Sequence, residues 1–470
     1  MEILIKILQV VLAFALLIAL HEGGHFFFAK LFKIRVEKFY LFFDYKFRLF
    51  STYSTWYRKL RGKAPVKKDD KGEYEYVGTE YGVGWIPLGG YVKISGMIDE
   101  SMDKEQMKRP PQPWEFRTKP AWQRLLVMLG GVIVNFITAF VIYSMVLFFW
   151  GESYVKPEDM TDGLKFSEQA KADGFRDGDI IVKVDGDSVK KWQASVLRDI
   201  SNAKEVTIIR DGREEVLAMS GDKNLLSMLQ STPIYADARM MVDVDSVLAE
   251  SPAEKAGLRK GDVITSLAGR EIADFNELTY VLSCLSQTLD EKSTHADSLR
   301  ARQTVMVING TDSVDVTLTP AFTLGFINKA PEYRITEKTY GFLESIPAGI
   351  GFGCKTLGGY VNDLKYVFTS DGAKSVGGIV GIANIFPPVW DWQRFWLLTA
   401  FLSIALGFMN VLPIPALDGG HALFAIYEII TRRKPSEKLL EKAQYVGMFL
   451  LIALMIFATW NDIARLIGLQ

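Results

Sequence analysis

The run ILQVVLAFALLIALHEGGHFFFAKLF, residues 7–32, places a His-Glu-Gly-Gly-His segment within a long series of apolar side chains. Gln9 is the only polar residue of this run before His21, and apolar residues resume directly after His25. A bilayer core of about 30 Å requires roughly 20 helical residues, so we predict a membrane-spanning helix over residues 1–32. The shorter apolar run before His21 is also typical of a signal peptide, but a His-Glu pair follows it where a cleavage site would need small residues.

Three more apolar stretches predict further spans, over residues 124–150, 393–431 and 440–468. The first and the last of these are long enough to cross a bilayer as uninterrupted helices. The middle one contains Pro413 and Pro415, which lack backbone donors and disfavour continued helix, so we expect the chain to open there. The expected fold class is a polytopic α-helical membrane protein with four transmembrane helices.

The composition makes the lipid bilayer the expected partner of the chain and argues against a nucleic acid. Hydrophobic residues make up 49% of the sequence, and 54 Lys and Arg residues are balanced by 55 Asp and Glu residues. Proteins that bind DNA or RNA carry a basic excess that is missing here. Cys284 and Cys354 are the two cysteines, and neither lies at metal-ligand spacing, so we expect free thiols, with a disulfide as the alternative.

Basic residues cluster beside three of the predicted spans. Since cytoplasmic loops are enriched in Lys and Arg, we place these clusters on the cytoplasmic side, together with the segment 33–123. Both termini and residues 151–392 are then expected outside the cytoplasm. The clusters are Lys30, Lys33, Arg35 and Lys38 after the first span, Arg117, Lys119 and Arg124 before the second, and Arg432, Arg433 and Lys434 after the third.

The first span carries the residues of a metal site. His21 and His25 are four residues apart, so a helix stacks their rings on one face, with Glu22 beside them. Two neutral imidazoles in this arrangement can bind Zn²⁺, and a carboxylate held back from the metal can act as a general base. The same pattern also occurs on ordinary helices, but ionisable residues within membrane spans persist mainly where they have a function. We therefore predict one catalytic zinc ion.

A catalytic zinc site requires a third protein ligand and one open position. We predict Asp418, which follows the proline-broken segment and precedes two glycines that let the backbone turn or approach closely. Helix termination at the membrane interface is the alternative role of Asp418. His421 is a further candidate ligand, although support of the other ligands or an interfacial position suits it better. His295 lies in a polar stretch and is expected in a loop.

Taken together, these motifs resemble the site-2 protease family of intramembrane zinc metalloproteases, in particular its bacterial branch of regulator-of-sigma-E proteases with two PDZ domains. The resemblance rests on HEGGH in the first span and on Asn410-x-x-Pro-x-x-x-Leu-Asp-Gly-Gly420 in a late span. Residues 84–94 are similar to the membrane-associated β segment of that branch, and residues 131–136 are similar to the start of its second span. The chain departs from the family at Val132, where proline is frequent, and at residues 375–379, which lack a common proline.

The resemblance implies that His21, His25 and Asp418 bind zinc, that Glu22 is the general base, and that Asn410 helps to hold the substrate backbone. A hydrogen bond in helix packing is the alternative role of Asn410. The implied enzyme is a zinc metalloendopeptidase that cleaves transmembrane segments of other proteins in the bacterial inner membrane. Membrane-bound anti-sigma factors and remnant signal peptides are the substrates that the family suggests, and nothing in the sequence separates them.

A helical substrate must be unwound before its peptide bonds become accessible. Residues Val83–Ile94 favour strands and contain a glycine turn signal, so we predict a membrane-associated β hairpin or sheet at about residues 80–96. Its edge would receive an extended substrate by strand addition. A hairpin that contacts no substrate is the alternative. The predicted substrate-binding residues are Gly89, Gly90, Tyr91 and Val92.

Two stretches of the outer segment repeat one another. Residues 170–186, AKADGFRDGDIIVKVDG, parallel residues 253–269, AEKAGLRKGDVITSLAG. Their shared core resembles PDZ domains, which are α+β domains that bind extended chains by strand addition, and it implies two of them in tandem that screen substrates or act as spacers. The expected segments are PDZ-like domains over 151–222 and 223–324 and a linker over 325–392 with an interfacial helix at Tyr340–Phe368.

Two other functions fit the sequence less well. A catalytically inactive, membrane-anchored PDZ scaffold would need none of His21, Glu22, His25 and Asp418. A metal transporter would need acidic or histidine side chains in several spans, whereas the second span offers mainly Asn135.

Overall fold

The computed structural model describes residues 2–53, 66–68, 74–76, 78–87, 89–97, 110–289 and 294–467. The chain divides into two units: the first comprises Met1–Gly151 and Thr339–Gln470, and the second is Glu152–Lys338. Parts of the predicted segment 33–123 and the last residue of the predicted span 440–468 lie outside the described residues.

Helices dominate the first unit, whereas short helices alternate with strands in the second. In chain order the helices are α1 (Glu2–Leu31), α2 (Ala121–Trp150), α3 (Glu168–Ala172), α4 (Ala194–Asn202), α5 (Leu225–Gln230), α6 (Pro252–Lys255), α7 (Phe275–Gln287), α8 (His295–Arg302), α9 (Phe342–Val367), α10 (Ser370–Ser375), α11 (Ile379–Ile385), α12 (Trp392–Val411), α13 (Asp418–Thr431) and α14 (Glu437–Leu466).

The strands are short, and most of them belong to the second unit. In chain order they are β1 (Val36–Leu41), β2 (Phe50–Tyr53), β3 (Val66–Lys68), β4 (Tyr74–Tyr76), β5 (Glu80–Val83), β6 (Tyr91–Ile94), β7 (Glu152–Val155), β8 (Leu164–Phe166), β9 (Ile180–Val184), β10 (Asp187–Ser188), β11 (Glu205–Arg210), β12 (Arg213–Ala218), β13 (Ala236–Ala238), β14 (Val244–Val247), β15 (Ile264–Leu267), β16 (Arg270–Glu271), β17 (Gln303–Ile308), β18 (Asp312–Thr317), β19 (Phe326–Asn328) and β20 (Ile335–Lys338).

In the described part of the chain, α1, α2, α12 and α14 are the helices long and apolar enough to cross a membrane. Each lies in one of the four apolar stretches that the sequence predicted as spans, although α12 covers only the first part of the third stretch. Their ends follow local signals: α1 stops before Lys33, whose left-handed φ is 58°, and α2 begins after Pro120 and stops at Gly151, whose φ is 67°. Proline is suited to a helix start, and residues with a positive φ, above all glycine, commonly follow a helix end.

The predicted span 393–431 is not one helix. It consists of α12 and α13, which are separated by residues 412–417. Pro413 and Pro415 cannot donate helical hydrogen bonds, and Ala416 adopts a φ of 76° that no right-handed helix contains. The expected opening of the chain is therefore present, and it starts a new helix at Asp418.

The strands near residues 80–96 form a sheet but not a hairpin. The sheet order is β2-β5-β1-β6, so β1 separates β5 from β6. β1 pairs parallel with β5 and antiparallel with β6, and β6 is an edge strand of this sheet. Of the two predicted forms, hairpin or sheet, the structure has the sheet: β1 pairs with both strands, whereas an isolated two-stranded hairpin is only marginally stable. Elsewhere in the unit, β3 pairs with β4.

Helix α9 occupies most of the predicted interfacial segment Tyr340–Phe368, and it packs against the spans. The ring of Phe352 lies 4.8 Å from that of Tyr143 in α2, and the Ser144 hydroxyl lies 3.4 Å from the Ile346 carbonyl oxygen. The position of α9 at a membrane surface stays a prediction. Cys354 in α9 and Cys284 in α7 are free, as expected.

The second unit contains two similar halves. A four-stranded sheet of order β10-β9-β11-β12 in the first half corresponds to one of order β16-β15-β17-β18 in the second. The repeat that the sequence indicated is therefore visible as a repeated order of elements, while its assignment to PDZ domains stays a prediction. His295, expected in a loop, instead begins α8, because Thr294 and Asp297 form a capping box.

Strand pairing moves the borders of these halves. β13 pairs with β8 and β19 pairs with β14, so the first half extends to Ala238 and the second to Asn328, beyond the expected ends at 222 and 324. β20 also pairs with β7, with Lys338 opposite Glu152. The expected borders relied on local turn signals, which do not reveal a strand that pairs with a distant one.

A buried ion cluster joins the two halves. The ammonium of Lys165, whose side chain is 3% exposed, lies 3.0 Å from Asp177, 3.1 Å from Asp274 and 3.3 Å from Glu277. Asp274 is fully buried and also accepts from Arg239 at 3.0 Å. Because Lys165 lies in β8 and Asp274 caps α7, the cluster holds the halves together.

Candidate metal centre

Helix α1 places its two histidines on one buried face. The ring centroids of His21 and His25 are 4.9 Å apart and nearly perpendicular. The Nδ1 atom of His25 lies 2.8 Å from the carbonyl oxygen of Val127 in α2. A carbonyl can only accept, so Nδ1 carries the proton and Nε2 keeps a free lone pair.

Asp418 brings a carboxylate to the same point. Its Oδ2 atom lies 3.2 Å from Nε2 of His21 and 3.3 Å from Nε2 of His25, and the two Nε2 atoms are 3.3 Å apart. Asp418 is the first residue of α13, so the break after α12 positions it.

The three ligand atoms fit a zinc ion. Tetrahedral coordination with bonds of 2.0–2.1 Å separates the ligand atoms by about 3.3 Å, which is the spacing seen here. The Oδ2 atom of Asp418 is buried and receives no hydrogen bond, a cost that a bound cation would remove. Among the described residues, His21, His25 and Asp418 are the group of this kind that could hold a metal ion.

Helix α2 must approach α1 very closely at the site. A Cβ atom added to Gly131 would lie 2.5 Å from Cε1 of His21 and 2.6 Å from Nε2 of His25. Only glycine therefore leaves room for both rings. Gly131 was not predicted to contact the histidines, although two adjacent glycines inside an apolar span were an available signal for such a close approach.

Two asparagines flank His21. The amide of Asn410, in the last turn of α12, lies 3.3 Å from Nε2, and the amide of Asn135, in α2, lies 3.1 Å from Nδ1. The structure thus brings Asn410 to the predicted site. Sequence analysis did not assign Asn135 to it.

A cavity of about 800 Å³ opens beside the three candidate ligands. It is lined by Glu22 and Asn410, by the predicted substrate-binding residues and by side chains not predicted for the site. Those predicted residues are Gly89, Gly90, Tyr91 and Val92, and the additional ones include Lys38, Lys93, His421 and Gln444.

The edge strand β6 lies directly beside Glu22. A Cβ atom on Gly90 would lie 3.5 Å from Cγ of Glu22 and 2.7 Å from Ile18, so the strand could not approach α1 as closely with a larger residue there. Val92 and Glu22 also line the same cavity. The predicted base and the predicted substrate strand are therefore neighbours.

Aromatic stacking holds the start of β6. The ring of Tyr91 stacks on Tyr40 at 5.3 Å and on Phe43 at 6.3 Å, and its hydroxyl donates to Asp44 at 3.1 Å. Burial and the nearby Asp44 carboxylate raise the pKa of Tyr91 above its ordinary value. The hydroxyl thus stays protonated and keeps this hydrogen bond.

In a comparison with known proteins, one family model matches nearly the whole chain. The model of peptidase family M50 matches residues 9–60 and 72–454. A putative zinc metalloprotease of Vibrio cholerae is 28% identical over 502 aligned positions, which cover 99% of this chain and 100% of that protein. A regulator of sigma E protease of Haemophilus influenzae is 28% identical, covering 97% and 98%, and the metalloprotease MmpA of Caulobacter vibrioides is 25% identical, covering 98% and 96%.

Proposed function

The chain belongs to peptidase family M50, and from this premise we propose that it is an intramembrane zinc protease that cleaves the transmembrane segments of other membrane proteins. The zinc metalloprotease activity follows from the family and from relatives that bear this name. One observation carries the assignment of the site: three ligand atoms lie at tetrahedral spacing, two of them on α1, a helix long and apolar enough to cross a membrane, and the third at the start of α13.

His21, His25 and Asp418 are the proposed zinc ligands. When bound, zinc polarises the scissile carbonyl and makes water more acidic. Glu22 takes a proton from the attacking water and returns it to the leaving amine, as expected of a carboxylate beside the ligands but outside their cluster. The amide of Asn410 can donate to or accept from an unwound peptide group.

Substrate binding by strand addition is the proposed way to present a peptide bond to these groups. β6 is an edge strand that lines the cavity, and its residues border Glu22. A transmembrane helix must unwind to pair with β6, and the new backbone hydrogen bonds partly replace those of the helix. Gly89, Gly90, Tyr91 and Val92 are the proposed contacts.

The second unit is proposed to consist of two PDZ domains that screen substrates. The internal repeat and the repeated sheet order support this assignment. The basic residues beside the spans favour a cytoplasmic location for those loops, which supports a location of the second unit on the opposite side of the membrane. The membrane is proposed to be the inner membrane of a bacterium. Since one relative is named a regulator of sigma E protease, membrane-bound anti-sigma factors are candidate substrates, as are remnant signal peptides.

The test measures zinc content and cleavage of a single-span substrate with purified full-length protein. Wild type is expected to retain about one zinc ion and to cleave, whereas Glu22→Gln is expected to retain zinc and lose cleavage. Glu2→Gln, which removes a carboxylate from the exposed start of the same helix, is the matched control and should behave as wild type. A wild type that binds no zinc and cleaves no substrate would instead support the scaffold interpretation.

A further inference from the structure

Asn135 is buried in the interface of three spans. Its side chain has no exposed surface, and its backbone oxygen accepts a hydrogen bond from the Ser403 hydroxyl of α12 at 2.7 Å. A polar side chain in the middle of an apolar helix is unfavourable unless it has a partner. The partner of Asn135 is Nδ1 of His21, at 3.1 Å.

The geometry of His21 determines which of its nitrogens must carry a proton. Its Nε2 atom faces Asp418 and Nε2 of His25, so Nε2 is the atom that reaches the proposed metal. A neutral imidazole that binds metal through Nε2 carries its proton on Nδ1. Nδ1 of His21 therefore needs an acceptor, and Asn135 is the residue that faces it.

The amide of Asn135 can supply that acceptor. The atom facing Nδ1 is assigned as the amide nitrogen, which would require the proton of His21 to sit on Nε2, where it would block metal binding. The Oδ1 atom of Asn135 is buried and has no hydrogen-bond partner. Amide oxygen and nitrogen have nearly the same shape, so the side-chain amide of Asn135 can be rotated by 180° without changing its fit. The rotation places Oδ1 of Asn135 against Nδ1 of His21, and these two atoms then form a hydrogen bond.

We propose that Asn135 is a positioning residue whose Oδ1 accepts the Nδ1 proton of His21 and so selects the tautomer that binds zinc. This inference rests on the metal site of the proposed function. Its counterpart is already visible at His25, whose Nδ1 donates to the Val127 carbonyl oxygen at 2.8 Å. Helix α2 thus faces Nδ1 of both histidines, with the Val127 backbone carbonyl at His25 and the Asn135 side chain at His21.

The test compares zinc affinity, measured by competition with a chelator, in full-length variants. Asn135→Asp keeps an acceptor of the same shape and is expected to bind zinc at least as tightly as wild type. Asn135→Leu has a similar volume without an acceptor and should bind zinc about 10- to 100-fold more weakly. Asn135→Ala serves the same purpose if the leucine variant does not fold.

Ser403→Ala is the matched control. It removes a hydrogen bond to Asn135 without touching His21, so its zinc affinity should match wild type. The visible spectrum of the cobalt-substituted protein is a second measurement, and it should change in Asn135→Leu but not in Ser403→Ala, because only the former alters a ligand's orientation.

Two results would overturn the proposal. Wild-type zinc affinity in both Asn135→Leu and Asn135→Ala would show that His21 needs no acceptor, and an equal loss in Asn135→Asp and Asn135→Leu would show that Asn135 only packs the helices. Neither result would affect the proposed function, which fails separately if wild type binds no zinc.

Discussion

At the scale of single residues, the site depends on close contacts that few side chains allow. His21 and His25 lie one helical turn apart, and the Nε2 atom of each contacts the Asp418 carboxylate of a neighbouring helix. The two histidines were recognisable as candidate metal ligands from their spacing in the sequence. The residues that make room for them, Gly131 above all, acquire their role only when α2 lies against α1.

Gly131→Ala is expected to weaken zinc binding and cleavage together. The added methyl group would overlap both histidine rings, and overpacking of this kind costs about 1–3 kcal/mol, or roughly a 5- to 150-fold loss of zinc affinity. The measurement is zinc retention against a chelator, with cleavage as a second readout. Gly23→Ala is the control, since nothing lies within 4 Å of its added Cβ, and equal zinc affinity in both variants would contradict the prediction.

At the scale of elements, the broken third span brings Asp418 to the histidines, and the edge strand β6 lines the cavity beside them. The sequence predicted that Pro413 and Pro415 would open the helix, and the break between α12 and α13 confirms it. The strand partners were not predictable, because β1 lies far from β5 and β6 in sequence and no local signal indicates a parallel pair. The resulting order leaves β6 at the edge that faces the cavity.

Val92→Pro is expected to slow cleavage while zinc is retained. Proline removes one backbone amide from the proposed substrate strand β6, and a backbone group left without a partner costs about 1–3 kcal/mol, or roughly a 5- to 150-fold slower reaction. Cleavage of a single-span substrate and zinc content are measured in parallel. Val92→Ala keeps the amide and is the control; undiminished cleavage by the proline variant would rule out strand addition at this position.

The ion cluster between the two halves of the second unit predicts a loss of stability in acid. Burial raises the pKa of Asp177, but the Phe166 amide and the Lys165 ammonium outweigh it and hold the pKa below its ordinary value. A lowered pKa gives stability that is present above the unfolded-state value of about 4 and is lost as pH falls through the folded-state value.

The thermal midpoint of Asp177→Asn should therefore lie below that of wild type at pH 7, and the difference should disappear at the acidic end of the titration. Differential scanning calorimetry of both full-length proteins across this pH range tests whether the difference in thermal midpoint shrinks as the pH falls. Asp245→Asn, which removes the partner of an exposed lysine, is the control and should change the midpoint little at any pH. A difference that grows in acid would contradict the assignment.

At the scale of the whole molecule, the chain divides into two units of different architecture. The first holds the candidate metal centre, and the second is built from two similar halves. The second unit begins at Glu152 and ends at Lys338, which are opposite one another in paired strands, so the chain enters and leaves it at neighbouring points. It is therefore suited to removal without strain on the helices.

Replacing residues 152–338 with a short Gly-Ser linker should leave zinc binding intact and allow cleavage of substrates whose outer domain is still attached. Wild type should cleave such substrates poorly and their truncated forms well, because the proposed PDZ domains screen them. Cleavage of both forms by both proteins is measured in reconstituted membranes. An unchanged preference after the deletion would remove the screening role and favour a spacer.

The proposed orientation predicts which residues are accessible from outside the cell. In a Cys284→Ser, Cys354→Ser background, Glu168→Cys should react with an impermeant maleimide on intact cells. Lys434→Cys should react only after the inner membrane is opened, because the basic clusters are placed in the cytoplasm. The reverse pattern would invert the topology, and Cys284→Ser, Cys354→Ser without an added cysteine controls for background labelling.

Elements whose signals are local could be predicted from the amino-acid sequence. Apolar runs of sufficient length specify spans wherever they occur, a four-residue spacing places two histidines on one helix face, and two prolines interrupt a helix in any surroundings. Contacts between distant parts of the chain became visible only in the tertiary structure: the distances that join Asp418 to His21 and His25, the approach of Gly131 and Asn135, and the placing of β1 between β5 and β6. These contacts arise from helix packing and strand pairing over hundreds of residues, and no short stretch of sequence encodes the distance between them.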